Sequence, residues 1–125
     1  MSRLTNVPVN EIANNMQQVA LDFAKKYNIV AVLKSAHTVI ANPNGKICIN
    51  TTGTSAMSKG GSGDSLTGVI TGLIAQGLKP FDSACLGTYL NGKSGEIAEK
   101  KLSSYSVMAT DISDCICDAI NDILA

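Results

Sequence analysis

The sequence predicts an α/β fold, in which helices pack against a small β-sheet. Apolar residues recur at helical spacing near both ends of the chain, an uninterrupted apolar run rich in β-branched residues occupies residues 29–33, and the turn sequence Asn42-Pro43-Asn44-Gly45 follows that run. A fully apolar strand needs neighbouring strands and cover on both faces, and the chain supplies few strands for this purpose. We therefore expect the 125 residues to form one part of a larger sheet domain.

The first half of the chain predicts a helix, a strand and a hairpin. From Val9 to Tyr27, apolar residues recur every three or four positions, which is typical of an amphipathic helix. Residues 29–33 predict a strand that is buried on both faces. The segments 37–41 and 46–50 then predict the two arms of a hairpin around the Asn-Pro-Asn-Gly turn.

The second half predicts a polar loop at residues 51–62 and then a helix that ends at Gly77. The inner face of this helix is predicted to consist of Leu66, Val69, Ile70, Leu73 and Ile74. Its apolar positions are spaced for packing on one side only.

Two further helices are predicted towards the end of the chain. The first begins at Pro80 and carries Gly87, Gly92 and Gly95. Since each glycine costs a helix about 1 kcal/mol relative to alanine, they indicate either a turn within the segment or another backbone packed very close. The last helix is predicted to start with Thr110 as its N-cap.

The composition is that of a globular domain without a strongly charged surface. Hydrophobic residues make up 45% and charged residues 16% of the chain, and ten basic residues balance ten acidic ones. Nucleic acids and anionic membranes are bound by surfaces with a clear basic excess, so we predict neither partner. No apolar run approaches the length of a membrane span and the N-terminus has no signal-peptide core, which predicts a cytoplasmic protein.

The four cysteines are predicted to be core residues. Cys115 and Cys117 lie two positions apart in a helical pattern and so project from nearly opposite faces. This spacing suits neither a local disulfide nor a zinc site, and Cys48 and Cys85 lie in apolar surroundings. We therefore predict no metal site formed by the protein alone.

The most informative segment is residues 59–68, Lys-Gly-Gly-Ser-Gly-Asp-Ser-Leu-Thr-Gly, at the predicted start of a helix. Glycine allows a ligand to approach the main chain closely, and the unpaired N–H groups of a helix start attract anions. The carboxylate of Asp64 in such a loop indicates a site that holds phosphates and carries a base beside them. On spacing alone, Asp64 could equally be a helix-end carboxylate and the glycines a tight turn.

Several motifs occur in an order that resembles one protein family. They are Lys34-Ser35-Ala36-His37-Thr38, Asn50-Thr51-Thr52-Gly53, Gly60-Gly61-Ser62-Gly63-Asp64, Tyr89-Leu90-Asn91-Gly92 and Met108-Ala109-Thr110-Asp111-Ile112. The series resembles the nucleotide-dependent NAD(P)H-hydrate dehydratases, which belong to the ribokinase-like superfamily and are often labelled carbohydrate kinases. The resemblance implies that residues 1–125 are a single partial domain. It would be the C-terminal portion of a three-layer α/β/α domain, with a few strands, about four helices and its N-terminal part absent.

The resemblance also implies an activity and a set of site residues. Such enzymes restore hydrated NADH or NADPH to NADH or NADPH and consume ADP or ATP, with Mg²⁺ accompanying the nucleotide. Asp64 would be the catalytic base, and both Asp64 and Asn91 would contact the hydrated dinucleotide. The nucleotide-binding residues would be Lys34, Ser35, Ala36, His37, Thr38, Gly60, Gly61, Ser62 and Gly63. A homo-oligomer, or association with the missing N-terminal half, is expected to complete the domain.

Some residues depart from the family pattern, and other functions stay open. Ser35 stands where glycine is usual, Ser65 where valine is common and Asn91 where histidine is common. From the residues alone, Lys34 suits a solvated lysine and His37 a structural residue at the start of a strand. A ribokinase-like kinase for a sugar or vitamin precursor would share the same loop and base, and a non-catalytic nucleotide-binding remnant is a third alternative.

Overall fold

The computed structural model describes residues 1–125 and contains seven helices, three strands and one 3-10 turn at Ser55–Met57. The helices are α1 Ser2–Thr5, α2 Val9–Asn14, α3 Met16–Tyr27, α4 Ser62–Ala75, α5 Pro80–Leu102, α6 Ala109–Asp114 and α7 Ile116–Leu124. The strands are β1 Ala31–Leu33, β2 Val39–Ala41 and β3 Ile47–Ile49. The chain divides into two compact units, Met1–Asn50 and Thr51–Ala125. The prediction of one partial domain over residues 1–125 stays a prediction.

The predicted helix from Val9 to Tyr27 is interrupted at Asn15. The backbone of this residue leaves helical geometry at φ −135°, so that α2 ends before it and α3 begins after it. Its side-chain amide donates to the carbonyl oxygen of Glu11 at 3.2 Å. Asparagine competes with the helical backbone for hydrogen bonds, which is why a periodic apolar pattern can conceal a break.

The first unit contains the predicted hairpin and a short strand beside it. The three strands form an antiparallel sheet in the order β1-β2-β3, with Ala31 opposite Ala41 and Ala41 opposite Ile47. The turn between β2 and β3 uses Gly45 at φ +102°, a conformation that favours glycine. The hairpin prediction is therefore confirmed. Helix α3 packs on this sheet through the fully buried Ala20 and Ala24.

The first strand is shorter and less covered than predicted. Residues 29 and 30 do not join β1, because Asn28 adopts a left-handed conformation and the Ile29 N–H closes α3 by donating to the carbonyl oxygen of Ala24 at 3.0 Å. β1 pairs with β2 alone, and Val32 is only half-buried. The expectation of a strand buried on both faces is wrong for this position, because Ala31 and Leu33 on one face are buried while Val32 on the other face stays partly exposed.

Helix α5 is the centre of the second unit and packs against α4, α6 and α7. It runs without a turn through its three glycines, so the close-packing interpretation of these residues is confirmed. A side-chain carbon on Gly92 would lie 2.7 Å from the backbone carbonyl carbon of Thr52, and one on Gly87 would lie 3.3 Å from the Cα of Ile70. The glycines therefore let other segments approach the axis of α5.

The helices around α5 differ in detail from the prediction. Gly77 follows the end of α4 in a left-handed conformation, with φ +101°, so the predicted stop is confirmed. Of the predicted inner face, only Leu66 is buried, and Ile74 is 43% exposed. The last helix begins at Ala109, not after a Thr110 cap, because the carboxylate of Asp111 accepts the N–H of Met108 at 2.7 Å. That helix also breaks at residue 115, which separates α6 from α7.

The cysteines are not all core residues. Cys115 is buried and Cys48 and Cys85 are half-buried, but Cys117 is exposed. Two residues along a helix point to nearly opposite sides, so burial of Cys115 turns Cys117 towards solvent. None of the helices combines the length and the apolar character that crossing a membrane requires.

Candidate functional site

The glycine-rich loop forms the start of α4 in the second unit. Gly61 is the residue that precedes the helix, and its φ of 89° belongs to the left-handed region that favours glycine. A side-chain carbon at this position would also lie 3.3 Å from the Cβ of Ala109 at the start of α6. The loop therefore needs glycine here both for its conformation and for its fit against α6.

Three N–H groups in this loop have no acceptor within the protein. They belong to Gly60, Gly61 and Gly63. The N–H of Ser62 donates to the carbonyl oxygen of Lys59 at 3.3 Å, and the N–H groups of residues 64 and 65 donate to that of Gly61. Free N–H groups at a helix start, together with the helix dipole, favour an anion such as phosphate.

Asp64 lies in the first turn of α4 and is exposed. Its carboxylate makes no hydrogen bond and no ion pair with another residue of the protein. A carboxylate in this state can accept a proton from a bound molecule without first breaking a bond within the protein. The loop thus presents free N–H groups next to an exposed carboxylate, and the role of Asp64 as a base stays a prediction.

Asn91 lies in α5 and is only 5% exposed. Its Oδ1 atom accepts a hydrogen bond from the hydroxyl of Ser65 at 3.3 Å, and the same hydroxyl lies 2.9 Å from that of Ser113 in α6. The two departures from the family pattern at positions 65 and 91 are therefore in contact. Sequence reasoning did not find Ser113, whose partner is 48 residues away along the chain.

The second predicted nucleotide-binding segment, residues 34–38, belongs to the first unit. It is a tight turn between β1 and β2, in which Ser35 Oγ accepts the N–H of His37 at 3.1 Å and the Thr38 hydroxyl donates to the Ser35 carbonyl oxygen at 3.2 Å. Lys34 and His37 are exposed, while Thr38 is buried. His37 does not open a strand, because β2 begins at Val39. Ser35 closes the turn with its side chain, which is how serine serves in place of glycine here.

Glu96 in α5 is a further polar residue that sequence reasoning missed. Its Oε1 accepts the N–H of Gly53 at 3.0 Å, and its Oε2 lies 2.9 Å from the ammonium group of Lys93. Burial alone would raise the pKa of the Glu96 carboxyl, but the hydrogen bond from Gly53 and the ammonium of Lys93 outweigh it and lower this pKa. Glu96 therefore fixes the segment that leads from residue 51 towards the glycine-rich loop.

Replacing Glu96 with glutamine is expected to destabilise the protein in a pH-dependent way. Because its folded pKa is lowered, the carboxylate stabilises the fold fully above its unfolded pKa, about 4.3 for glutamate, and loses this effect as the pH falls through the folded value. The difference in unfolding free energy between wild type and Glu96→Gln should thus be largest at neutral pH and shrink in acid. Urea denaturation at several pH values measures it.

Glu99 on the same helix provides the matched control, since its side chain makes no hydrogen bond or ion pair with another residue of the protein. Glu99→Gln should change the unfolding free energy little at any pH. A Glu96→Gln difference that stays constant from neutral to acidic pH would contradict the assigned role of the carboxylate.

Comparison with known proteins identifies the family. The family model described as NAD(P)H-hydrate dehydratase matches residues 1–118. The chain is 42% identical over 114 residues to a bifunctional NAD(P)H-hydrate repair enzyme of Moorella thermoacetica, covering 91% of this chain and 22% of that protein. It is 37% identical over 114 residues to an ADP-dependent (S)-NAD(P)H-hydrate dehydratase of Bacillus subtilis, covering 91% of this chain and 41% of that protein.

A solved structure gives the same result. The crystal structure of the ADP/ATP-dependent NAD(P)H-hydrate dehydratase from Bacillus subtilis, co-crystallised with ATP and Mg²⁺, superposes with a TM-score of 0.92 at 35% identity. The match covers 97% of this chain and 44% of that one. The chain thus spans less than half of the length of each of these relatives. The matches over nearly all of its residues nevertheless place it: the chain belongs to the NAD(P)H-hydrate dehydratase family.

Proposed function

We propose that this chain supplies the phosphate-binding loop and the base of an ADP- or ATP-dependent NAD(P)H-hydrate dehydratase. The observation that carries the proposal is the set of three glycine N–H groups without an acceptor, next to the exposed carboxylate of Asp64. Phosphoryl transfer depends mainly on positioning and on stabilisation of charge. Such a reaction requires hydrogen-bond donors for the phosphate oxygens and a base for the attacking hydroxyl.

In the proposed reaction, the hydroxyl of the hydrated nicotinamide ring attacks the terminal phosphorus of the nucleotide. Asp64 accepts the hydroxyl proton, and the nucleotide leaves with one phosphate fewer. Loss of the phosphate group from the ring, together with a ring proton, restores the double bond and releases inorganic phosphate. The N–H groups of Gly60, Gly61 and Gly63 would stabilise the negative charge that develops on the transferred phosphoryl group.

The remaining predicted nucleotide contacts belong to the same proposal. We assign residues 34–38 to the adenine nucleotide, with the exposed ammonium of Lys34 as a partner for phosphate. No group of three or more histidine, cysteine, aspartate or glutamate side chains in the chain converges on a point that could hold a metal ion. We propose that Mg²⁺ accompanies the nucleotide, binds mainly through its phosphates and there neutralises their charge.

The proposed substrate is hydrated NADH or NADPH. The proposed location of the protein is the cytoplasm. The relatives that bear the dehydratase name are more than twice as long as the region they share with this chain. We therefore propose that the dinucleotide site is completed by association, either of two copies of this chain or with a polypeptide that corresponds to the rest of the family domain. Asp64 would face that site.

The test is turnover of hydrated NADH by the purified chain with ADP or ATP and Mg²⁺. It is run with the chain alone and with the remaining region of the Bacillus subtilis relative added as a separate polypeptide. We expect one reduced dinucleotide and one inorganic phosphate for each nucleotide consumed in at least one preparation. A phosphorylated product without phosphate release would indicate a kinase instead, and nucleotide binding without turnover in both preparations would indicate a non-catalytic remnant.

A further inference from the structure

A chain of hydrogen bonds joins the first turn of α4 to both neighbouring helices. The hydroxyl of Ser65 in α4 donates to Oδ1 of Asn91 in α5 at 3.3 Å and lies 2.9 Å from the hydroxyl of Ser113 in α6. No other side-chain hydroxyl of α4 bonds to a different helix. The hydroxyls of Thr67 and Thr71 donate only to carbonyl oxygens of α4 itself.

The chemistry of the three groups limits the directions that these hydrogen bonds can take. An amide oxygen can only accept a hydrogen bond, so the single proton of the Ser65 hydroxyl is used on Asn91. In that arrangement Ser113 is the donor to Ser65, and the 2.9 Å geometry by itself allows either hydroxyl to donate. Its other acceptor, the carbonyl oxygen of Ala109, is farther away at 3.4 Å. Since Asn91 is only 5% exposed, removal of the Ser65 hydroxyl would leave its oxygen buried without this partner.

The position of Ser65 connects this chain to the phosphate-binding loop. Ser65 directly follows Asp64, and its own N–H donates to the carbonyl oxygen of Gly61 at 3.2 Å. Helix α6 supports the same turn at a second point, because Ala109 is the nearest contact for a side-chain carbon placed on Gly61. Helix α6 thus supports the loop through Ala109 and through Ser113, one helical turn apart.

We propose that Ser65 is a positioning residue: held by Asn91 and Ser113, it fixes the first turn of α4, so that the Gly63 N–H and the Asp64 carboxylate keep their places around a bound phosphate. The inference rests on the proposed function, because it takes the nucleotide phosphate as the ligand. It also gives Asn91 a role inside the core, in place of the direct dinucleotide contact that the family resemblance implies.

The test compares Ser65→Ala, Ser113→Ala and the double variant with wild type in the whole chain. ADP affinity is measured by calorimetry, and amide hydrogen exchange is measured for residues 63–66. We expect Ser65→Ala to weaken ADP binding about 3- to 10-fold and to speed exchange in this turn. Because Ser113 acts through Ser65, the double variant should be no weaker than Ser65→Ala alone. Ser65→Thr, which keeps the hydroxyl, should restore ADP affinity.

Thr71→Val is the matched control, since it removes a hydroxyl from the same helix that bonds only within that helix. It should leave ADP affinity and exchange of residues 63–66 unchanged. A Ser65→Ala variant that melts at a lower temperature but binds ADP as wild type does, with unchanged exchange in this turn, overturns the proposal. If wild type itself binds no ADP, the proposed function fails, and exchange alone decides: faster exchange confined to residues 63–66 supports positioning by Ser65, and unchanged exchange rejects it.

Discussion

Under the proposed function, and in the preparation that turns over hydrated NADH, replacing Asp64 with asparagine is expected to lower turnover by about 10²–10⁴-fold, the usual contribution of a positioned general base. Asparagine keeps the size of the side chain but cannot accept the hydroxyl proton. Since the carboxylate is exposed and makes no hydrogen bond within the protein, the fold should survive the change. ADP affinity should stay the same or rise, because one negative charge beside the phosphates is removed. Steady-state kinetics and calorimetry measure the two effects separately.

Asp82 provides the matched control for this experiment. It also lies in the first turn of a long helix, α5, where a carboxylate stabilises the helix by about 0.3–1 kcal/mol. Asp82→Asn should therefore lower the unfolding free energy slightly and leave turnover unchanged. If Asp64→Asn behaves in the same way as Asp82→Asn, Asp64 is a helix-end carboxylate and not the base.

The parts of the fold that the sequence predicted correctly depend on local signals. The hairpin follows from a turn sequence with glycine at its end, and the end of α4 follows from Gly77. The breaks at Asn15 and Cys115 were not predicted, because apolar periodicity continues across both positions. The exposure of Ile74 was likewise missed, since amphipathic spacing shows which side of a helix is apolar but not whether a partner covers it.

The candidate site likewise contains some residues that the sequence indicates and others that it does not. The glycine-rich loop and Asp64 could be proposed from the sequence, because the residue types that suggest a phosphate site and a base occur within ten positions. Glu96 and Ser113 could not, because each is an ordinary polar residue of a helix whose partner lies 43 or 48 residues away along the chain. Only the packing of α5 against residue 53 and of α6 against α4 brings these pairs together.

The close approach of residue 52 to α5 explains why two of the family motifs, Asn50–Gly53 and Tyr89–Gly92, occur together. The hydroxyl of Thr52 donates to the carbonyl oxygen of Tyr89 at 2.9 Å, directly over the position of Gly92. A side-chain carbon on Gly92 would lie 2.0 Å from that hydroxyl oxygen and 2.7 Å from the Thr52 backbone. Any residue other than glycine must therefore displace the segment that leads to the phosphate-binding loop.

Gly92→Ala is accordingly expected to destabilise the protein by about 1–3 kcal/mol in urea denaturation. Overpacking against backbone costs about 1–3 kcal/mol, and loss of the Thr52 hydrogen bond about 0.5–1.5 kcal/mol more. The gain in helix propensity of about 1 kcal/mol offsets only part of this cost. Gly95→Ala should cost less, because the added carbon would meet the flexible side chain of Met57 and not backbone.

Gly72→Ala in α4 separates the two opposing effects. A side-chain carbon there would meet nothing within 4 Å, so only the propensity gain remains and the variant should be more stable than wild type by about 1 kcal/mol. The order of stability should therefore be Gly72→Ala, wild type, Gly95→Ala and Gly92→Ala. If the Gly92→Ala protein is as stable as wild type, residue 52 does not pack closely against α5 in solution. The glycines of α5 would then be tolerated and not required.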